Sequence, residues 1–168
     1  MATEPASLLE NAPRIAGTHH DRQTEPVDYA AINAVYGVLL AAVVVATRDR
    51  GATKDPISGP ELIPLSAATF ALSKVIAREK IGTWVREPFV EEEDGRKPRG
   101  RRLRRAVGEL LTCTRCVGAW SALGIVGLRL ASPSSGRVVT NVLAVSAAND
   151  WLQAAFRALC DQADRSGR

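Results

Sequence analysis

A long uncharged apolar stretch from Tyr29 to Ala46 constrains the fold of this chain more than any other feature. Ala, Val, Leu, Ile and Gly fill it, only Asn33 and Tyr36 interrupt it, and none of its side chains is charged. Because an α-helix rises about 1.5 Å per residue, a helix of this length nearly covers the roughly 30 Å hydrocarbon core of a bilayer. The stretch therefore predicts a transmembrane helix, and a helix buried in a soluble bundle is the alternative.

Three further apolar blocks follow the first. They run from Glu61 to Ile76, from Val107 to Ala131 and from Val138 to Cys160, and the turn at residues 132–136 joins the last two. Connectors rich in Pro, Gly and Ser separate such blocks because these residues break helices. The pattern predicts an all-α fold, a polytopic membrane bundle of about four helices.

The domain boundaries follow from these blocks. Residues 1–28 are interpreted as a flexible tail, because prolines and scattered charges replace the long apolar core of a cleavable signal peptide. Residues 29–160 form the predicted membrane domain, which includes a charged cytoplasmic connector at 77–106. Residues 161–168 form a predicted C-terminal tail. Three cysteines cannot form a fully paired disulfide framework.

The distribution of basic residues predicts the topology. The net charge is +4, from 22 Lys and Arg against 18 Asp and Glu, and ten of the basic residues lie in the connector. If this connector is cytoplasmic, both chain ends are cytoplasmic too. The inner side then holds 15 Lys and Arg and the outer loops hold five, which satisfies the positive-inside rule. We therefore expect a multi-pass membrane protein with both termini in the cytoplasm.

The connector itself carries two surface predictions. Apolar residues from Ile81 to Phe89 recur at helical spacing beside basic residues, which predicts a short helix lying on the inner membrane surface. The basic run that follows is a candidate contact for anionic lipid headgroups, worth about 1 kcal/mol per side chain. It comprises Arg96, Lys97, Arg99, Arg101, Arg102, Arg104 and Arg105. A solvated, topology-setting role is the simpler alternative, and nucleic acid is an unlikely partner because few aromatics lie among the arginines.

Charges inside the apolar blocks need an explanation, because each costs about 2.5 to 3.5 kcal/mol on membrane-insertion scales. Lys74, Arg115 and Asp150 all fall at a similar depth near the inner side. We expect Asp150 to pair with Arg115 or Lys74, with Asn149 and Ser73 completing an intramembrane polar cluster. Alternatively, Lys74 reaches the headgroups along its own stem.

The most specific string is Cys113-Thr-Arg-Cys116-Val-Gly-Ala-Trp120. Its spacings of three and four place both thiols and the indole on one helical face. The thiols are candidates for helix packing together with Gly118, for metal binding or for redox chemistry. No cofactor is predicted outright, since a zinc site needs four ligands and would have to recruit Cys160 and a histidine, or a second chain. We favour packing over metal binding, and metal binding over redox catalysis.

From Lys74 to Leu159 the chain resembles the bacterial membrane proteins grouped as domain of unknown function 1360. The matching features are Ser73-Lys74, Arg86-Glu-Pro-Phe89 with the acidic residues after it, Pro98-Arg-Gly100, Gly108-Glu-Leu-Leu-Thr-Cys113, the C-x-x-C-x-G-x-W core, and Asn149-Asp150. The resemblance implies an integral membrane protein without an assigned reaction, with some relatives associated with sporulation. Thr114 stands where the family usually has proline.

No serine–histidine–acid set, phosphate loop or catalytic carboxylate pair is recognisable, so we do not expect an enzyme. The sequence predicts a small structural or interaction component of a membrane, whose partner is the lipid bilayer and a second protein or a copy of itself. A membrane thiol protein that uses Cys113 and Cys116, and a peripheral helical bundle that binds anionic surfaces, are the alternatives.

Overall fold

The computed structural model describes residues 24–49, 57–92 and 95–166. In these ranges it contains six α-helices: α1 Pro26–Asp49, α2 Leu62–Ala77, α3 Thr83–Arg86, α4 Leu103–Thr112, α5 Thr114–Ala131 and α6 Pro133–Ser166. Single 3-10 turns lie at Gly59–Glu61 and Lys80–Gly82, and β1 Val90–Glu91 pairs antiparallel with β2 Lys97–Pro98. The all-α class is confirmed, with one small hairpin added.

Helices α2, α5 and α6 form the centre of the molecule, and two ion pairs fix their directions. Glu61, just before α2, meets Arg129 near the end of α5. Lys74, near the end of α2, meets Asp150 in α6. Helices α2 and α6 are therefore parallel to each other and antiparallel to α5.

Helix α1 lies against α5 and runs in the same direction as it does. Tyr36 packs on Trp120 near the start of α5, and Val43 approaches Gly127 near its end. The four long helices thus alternate in direction along the chain. The start of α1, the end of α2 and the connector share one end of the bundle, which we call the connector end.

The buried core is small and sits between α2, α5 and α6. Leu65, Ala68 and Ile125 form its centre, and Leu72 and Leu143 pack around them. Apolar side chains of α1 remain largely uncovered, as Val38 (67% exposed) and Val45 (56% exposed) show. A helix that is apolar all round and uncovered by protein is typical of one that faces lipid.

Length and apolar character identify the helices that are able to cross a bilayer. Within the described residues, Pro26–Arg48 and Gly59–Ala77 qualify, and α4 with α5 would make a third span if the bent pair crosses as one. Helix α6 is long enough but less apolar, because it carries several polar residues. By length and composition, the described helices therefore support two or three membrane spans.

The third apolar block is not one helix, which corrects the sequence prediction. The chain bends by 88° between α4 and α5 at Cys113, whose backbone is extended. Leu103, Val107 and Leu110 share one face of α4, while arginines occupy the opposite face. Such an amphipathic helix suits the boundary of an apolar layer rather than its interior, so the helix turns across the bundle end.

The helix predicted at Ile81 to Phe89 is present only as far as Arg86. The chain there forms the 3-10 turn, the single turn of α3, and then a segment that enters β1 at Val90. Arg86 causes the difference, because its side chain turns inward and is fully buried instead of facing headgroups. The amphipathic helix of this connector is α4.

Several predicted boundaries also move. Helix α1 begins at Pro26, not Tyr29, and the backbone N–H of Glu25 donates to the Asp28 carboxylate at 2.9 Å. Only Ser132 separates α5 from α6, where a longer turn was predicted, because Pro133 suits the first position of a helix. The predicted C-terminal tail is helical up to Ser166. The earlier part of the N-terminal tail lies outside the described residues.

Candidate functional site

The thiols of Cys113 and Cys116 form a close pair at the start of α5. Cys113 is the N-cap residue, and its sulfur accepts a hydrogen bond from the backbone N–H of Cys116 at 3.4 Å. The Cys116 thiol donates to the same sulfur, with the two Sγ atoms 2.8 Å apart. Both cysteines are free thiols. A helix N-terminus favours negative charge, so this position stabilises Cys113 as a thiolate.

Cys116 also lines a cavity of about 380 Å³ between α1, α4 and α5. Its polar lining comes from Tyr29, Asn33, Tyr36, Glu109 and Trp120. Tyr29 donates a hydrogen bond to Glu109, and Tyr36 packs edge-on against Trp120 with ring centroids 5.3 Å apart. The cavity therefore places a thiol, two phenols and an amide around one space.

A second cavity of about 470 Å³ follows α1 and α5 away from the connector end. Trp120 lines both cavities, while Leu39, Ala46 and Gly124 represent the apolar lining of the second. We call the two together the α1–α5 groove. It has polar groups at the thiol end and apolar walls along the rest.

The predicted intramembrane polar cluster is smaller than expected. Lys74 Nζ lies 3.0 Å from the Asp150 carboxylate and 3.1 Å from that of Glu79, which the sequence reasoning did not include. Both Lys74 and Asp150 are about one-third exposed at their side chains. The structure thus brings together one predicted pair and adds Glu79 from the end of α2.

The other predicted members of this cluster lie elsewhere. Arg115 is exposed beside the thiols and does not meet Asp150, because it follows the bend at Cys113. Asn149 is exposed, and the buried Ser73 hydroxyl donates to the backbone carbonyl of Phe70 within its own helix. Each therefore falls outside the Lys74–Asp150 pair.

Most arginines of the predicted lipid-binding run hold other parts of the chain. Arg96 donates to the carbonyl of Arg78 at the end of α2, and Arg104 to that of Pro88. Arg99, Arg102 and Arg105 pair with Glu91, Glu25 and Glu109, respectively. Arg101 and Lys97 are exposed. The run therefore works first as an internal brace for the connector.

Arg86 is a buried structural residue of the connector, where the sequence predicted a basic side chain at the membrane surface. It is fully buried and donates to the backbone carbonyls of Ile76 and Glu79, and to the Glu92 carboxylate at 2.8 Å. The last carbonyls of a helix have no partner within it, so Arg86 completes the end of α2. Hydrogen bonding to Arg86 holds the pKa of Glu92 below its usual value.

Two glycines make room for this arrangement. A Cβ atom at Gly82 would lie 2.3 Å from the carbonyl oxygen of Val75. A Cβ atom at Gly108 would lie 2.5 Å from that of Phe89, so the hairpin sits directly on α4. The resemblance motifs around Arg86, Pro98 and Gly108 therefore build one structural unit at the connector end.

Arg129 is the second buried arginine that the sequence reasoning missed. It is 2% exposed, and its Nη2 lies 3.0 Å from the Glu61 carboxylate. The available signal was that Glu61 lies at the start of one apolar block and Arg129 near the end of the next, positions that meet when the two helices are antiparallel. The pair joins α2 to α5 at the end opposite the connector.

The predicted roles of the remaining motif residues fare differently. Trp120 packs against Tyr36 in α1. A Cβ atom at Gly118 would meet nothing within 4 Å, so this glycine is not needed for helix contact within one chain. Cys160 is exposed on α6. No group of three His, Cys, Asp or Glu side chains among the described residues is placed to hold a metal, and His19 and His20 lie outside them.

Comparison with known proteins gives one match. The family model described as "Protein of unknown function (DUF1360)" matches residues 64–156, from the first turn of α2 to the middle of α6. No curated protein and no solved structure matches the chain. The matched region contains the thiol pair, the connector and the Lys74–Asp150 pair, whereas α1 lies before it.

Proposed function

This chain belongs to the DUF1360 family of proteins of unknown function, and we propose that it is an integral membrane protein of bacteria with a redox-active thiol pair. In the proposed arrangement α1, α2, α5 and the first part of α6 cross the bilayer. The uncovered apolar surface of α1 supports this arrangement, because water would leave that surface without favourable contacts.

The connector end faces the cytoplasm in this proposal, together with both ends of the chain. The alternating directions of the four long helices support a common side for these three parts. The basic residues concentrate at this end, as the positive-inside rule requires. Helix α4 then lies along the inner membrane surface, where the exposed Arg101 contacts anionic headgroups.

The role that the geometry supports best is reversible dithiol–disulfide exchange at Cys113 and Cys116. The observation that carries it is the 2.8 Å separation of the two sulfur atoms at a helix N-terminus. Simple packing does not require two sulfurs to face each other, and a metal would need further ligands. This pairing reverses the order of preference drawn from the sequence.

A dithiol on a partner protein supplies the two electrons that reduce the Cys113–Cys116 disulfide. A partner thiolate attacks the oxidised Cys113–Cys116 disulfide, which breaks the S–S bond and forms a mixed disulfide. The second thiolate of the partner then attacks the partner sulfur that is bound in the mixed disulfide, and the Cys113–Cys116 pair leaves in its reduced form. Two electrons pass to Cys113 and Cys116, and the partner leaves with a new disulfide.

Mass spectrometry of the purified protein tests this role. After full reduction, the chain is titrated with diamide in detergent, and peptides are analysed for a Cys113–Cys116 disulfide. We expect the loss of two hydrogens in the peptide that contains both cysteines. Cys113→Ser and Cys116→Ser should each abolish the change, whereas Cys160→Ser should leave it intact.

Two outcomes would contradict the proposal. One is a pair that stays reduced at diamide concentrations that fully oxidise a control dithiol peptide. The other is a pair that reacts with thiol reagents only after a chelator is added, which would indicate zinc held between two copies of the chain.

Membrane insertion needs its own experiment. Isolated membranes washed with alkaline carbonate should retain the full-length protein, because the wash releases only peripheral proteins. Release of the protein into the wash would instead support a peripheral bundle that binds anionic surfaces.

A purely structural role is the second candidate. The exposed apolar side chains of α6, such as Leu152 and Phe156, support it because they leave a surface for a protein partner or a second copy.

A further inference from the structure

Asn33 and Tyr36 are the two polar interruptions of α1, and both line the first cavity of the α1–α5 groove. Among the described residues, neither the Asn33 amide nor the Tyr36 hydroxyl has a hydrogen-bond partner. A polar group without a partner is costly where water is scarce. The two donors therefore face a space that a ligand with hydrogen-bond acceptors would complete.

The charge of the cavity restricts the chemistry of that ligand. Its lining contains Glu109, which is paired with Arg105, and it contains no basic residue. An anionic phospholipid headgroup would thus meet a carboxylate instead of a cation. A neutral head with two carbonyl acceptors suits the lining better.

The shape of the groove indicates what is attached to the head. The first cavity, of about 380 Å³, is large enough for a compact ring, and the second continues from Trp120 along the apolar walls of α1 and α5. A molecule with a neutral ring and a long apolar tail fits both parts. Cys116 lies at the ring end, so the occupant would meet one thiol of the pair.

We propose that the α1–α5 groove binds an isoprenoid quinone, which accepts electrons from the Cys113–Cys116 pair. This inference rests on the proposed redox function. Two S–H bonds break and one S–S bond forms between the cysteines. The two electrons and two protons pass to the carbonyl oxygens of the quinone, which leaves as the hydroquinone. Asn33 and Tyr36 donate hydrogen bonds to those oxygens and orient the ring.

The experiment uses the full-length reduced protein in lipid nanodiscs, without oxygen, and decylubiquinone as the probe. Absorbance follows conversion of the quinone to the hydroquinone, and thiol titration follows the cysteines in the same sample. We expect one hydroquinone for each disulfide formed. Cys113→Ser should abolish both signals.

Variants of the groove test its part in the reaction. Ala119 lines the first cavity, so Ala119→Phe should fill the ring site and slow quinone reduction by at least about tenfold. Ala30→Phe is the matched control, because Ala30 is exposed on α1 and outside the groove lining, and it should react like the wild type. Asn33→Leu should slow the reaction by about tenfold, the factor expected when one hydrogen bond is lost.

Parallel oxidation with diamide separates the two proposals. If diamide forms the disulfide but decylubiquinone does not, the redox function stands and the quinone site is overturned. Equal quinone rates in Ala119→Phe and wild type would also overturn the site, since the reaction would then occur outside the groove. If neither oxidant forms the disulfide, the redox function itself fails.

Discussion

The Nε atom of Arg86 lies 2.8 Å from a carboxylate oxygen of Glu92, although Arg86 is fully buried and the Glu92 side chain is 30% exposed. The same guanidinium binds backbone carbonyls at the end of α2. One side chain therefore joins α2, α3 and the hairpin. The connector depends on it more than on any exposed charge.

Replacing Arg86 should destabilise the protein strongly. Arg86→Met keeps much of the volume but leaves two buried carbonyls and the Glu92 carboxylate without their partner. We expect a loss of about 3 to 5 kcal/mol in the free energy of unfolding, as for other broken buried pairs. Denaturant unfolding in detergent measures it. Arg99→Met, at an exposed ion pair, is the control and should cost less than about 1 kcal/mol.

The Arg86–Glu92 pair also predicts a pH dependence. Because the folded state lowers the pKa of Glu92, the pair stabilises the protein above the ordinary carboxyl pKa, and this stabilisation is lost as the pH falls through the folded value. The stability difference between the wild type and Glu92→Gln should therefore shrink as the pH is lowered from about 5. Melting curves at several pH values measure it. Glu87→Gln, at an exposed position nearby, is the matched variant, and a difference that stays constant with pH for Glu92→Gln would contradict the prediction.

Two glycines of the resemblance motifs should respond oppositely to alanine. Gly108→Ala places a Cβ atom 2.5 Å from a backbone carbonyl, so we expect a loss of about 1 to 3 kcal/mol from overpacking. Gly118→Ala fills open space on a helix and should stabilise the protein by about 0.5 to 1 kcal/mol. Thermal melts of both variants in one detergent test this. Destabilisation by Gly118→Ala would indicate that a second chain packs against that face.

Reversing the Lys74–Asp150 pair tests whether its contribution is electrostatic. Lys74→Asp and Asp150→Lys should each lower the melting temperature, because each places two like charges between α2 and α6. The double variant should recover much of the loss, with a coupling of about 1 to 2 kcal/mol, as for polar contacts between membrane helices. Recovery fails if Lys74 only extends to the headgroups.

The sequence was sufficient for features that depend on local pattern. The apolar run from Tyr29 to Ala46 and the helix after Glu61 appear close to their predicted places, because uncharged periodic stretches have few alternatives to a helix. Counting residues inward along the helices left Lys74 and Arg115 as alternative partners of Asp150, and Lys74 is the one that lies against it. Because an α-helix has a fixed rise per residue, the depth of a side chain along its helix can be calculated from the sequence.

The sequence was insufficient where one side chain reverses the local pattern. Arg86 and Arg129 look like surface charges in the sequence, but both are buried. Each binds carbonyl or carboxylate oxygens that come near it only in the folded chain. The bend at Cys113 was hidden for the same reason. The stretch from Val107 to Ala131 contains no proline to mark the bend, and only the one-sided arginines of α4 distinguish an in-plane helix from a spanning one.

The single residue between α5 and α6 has a consequence for biosynthesis. Ser132 is too short a linker to let the helices separate. Gly136 lies so close to the backbone of Arg129 that the first turn of α6 packs directly on the last turn of α5. In the proposed membrane arrangement, α5 and α6 would therefore enter the bilayer together, as one hairpin. Glu61 is synthesised before either helix, so in that arrangement the carboxylate that pairs with Arg129 is in place before the hairpin is inserted.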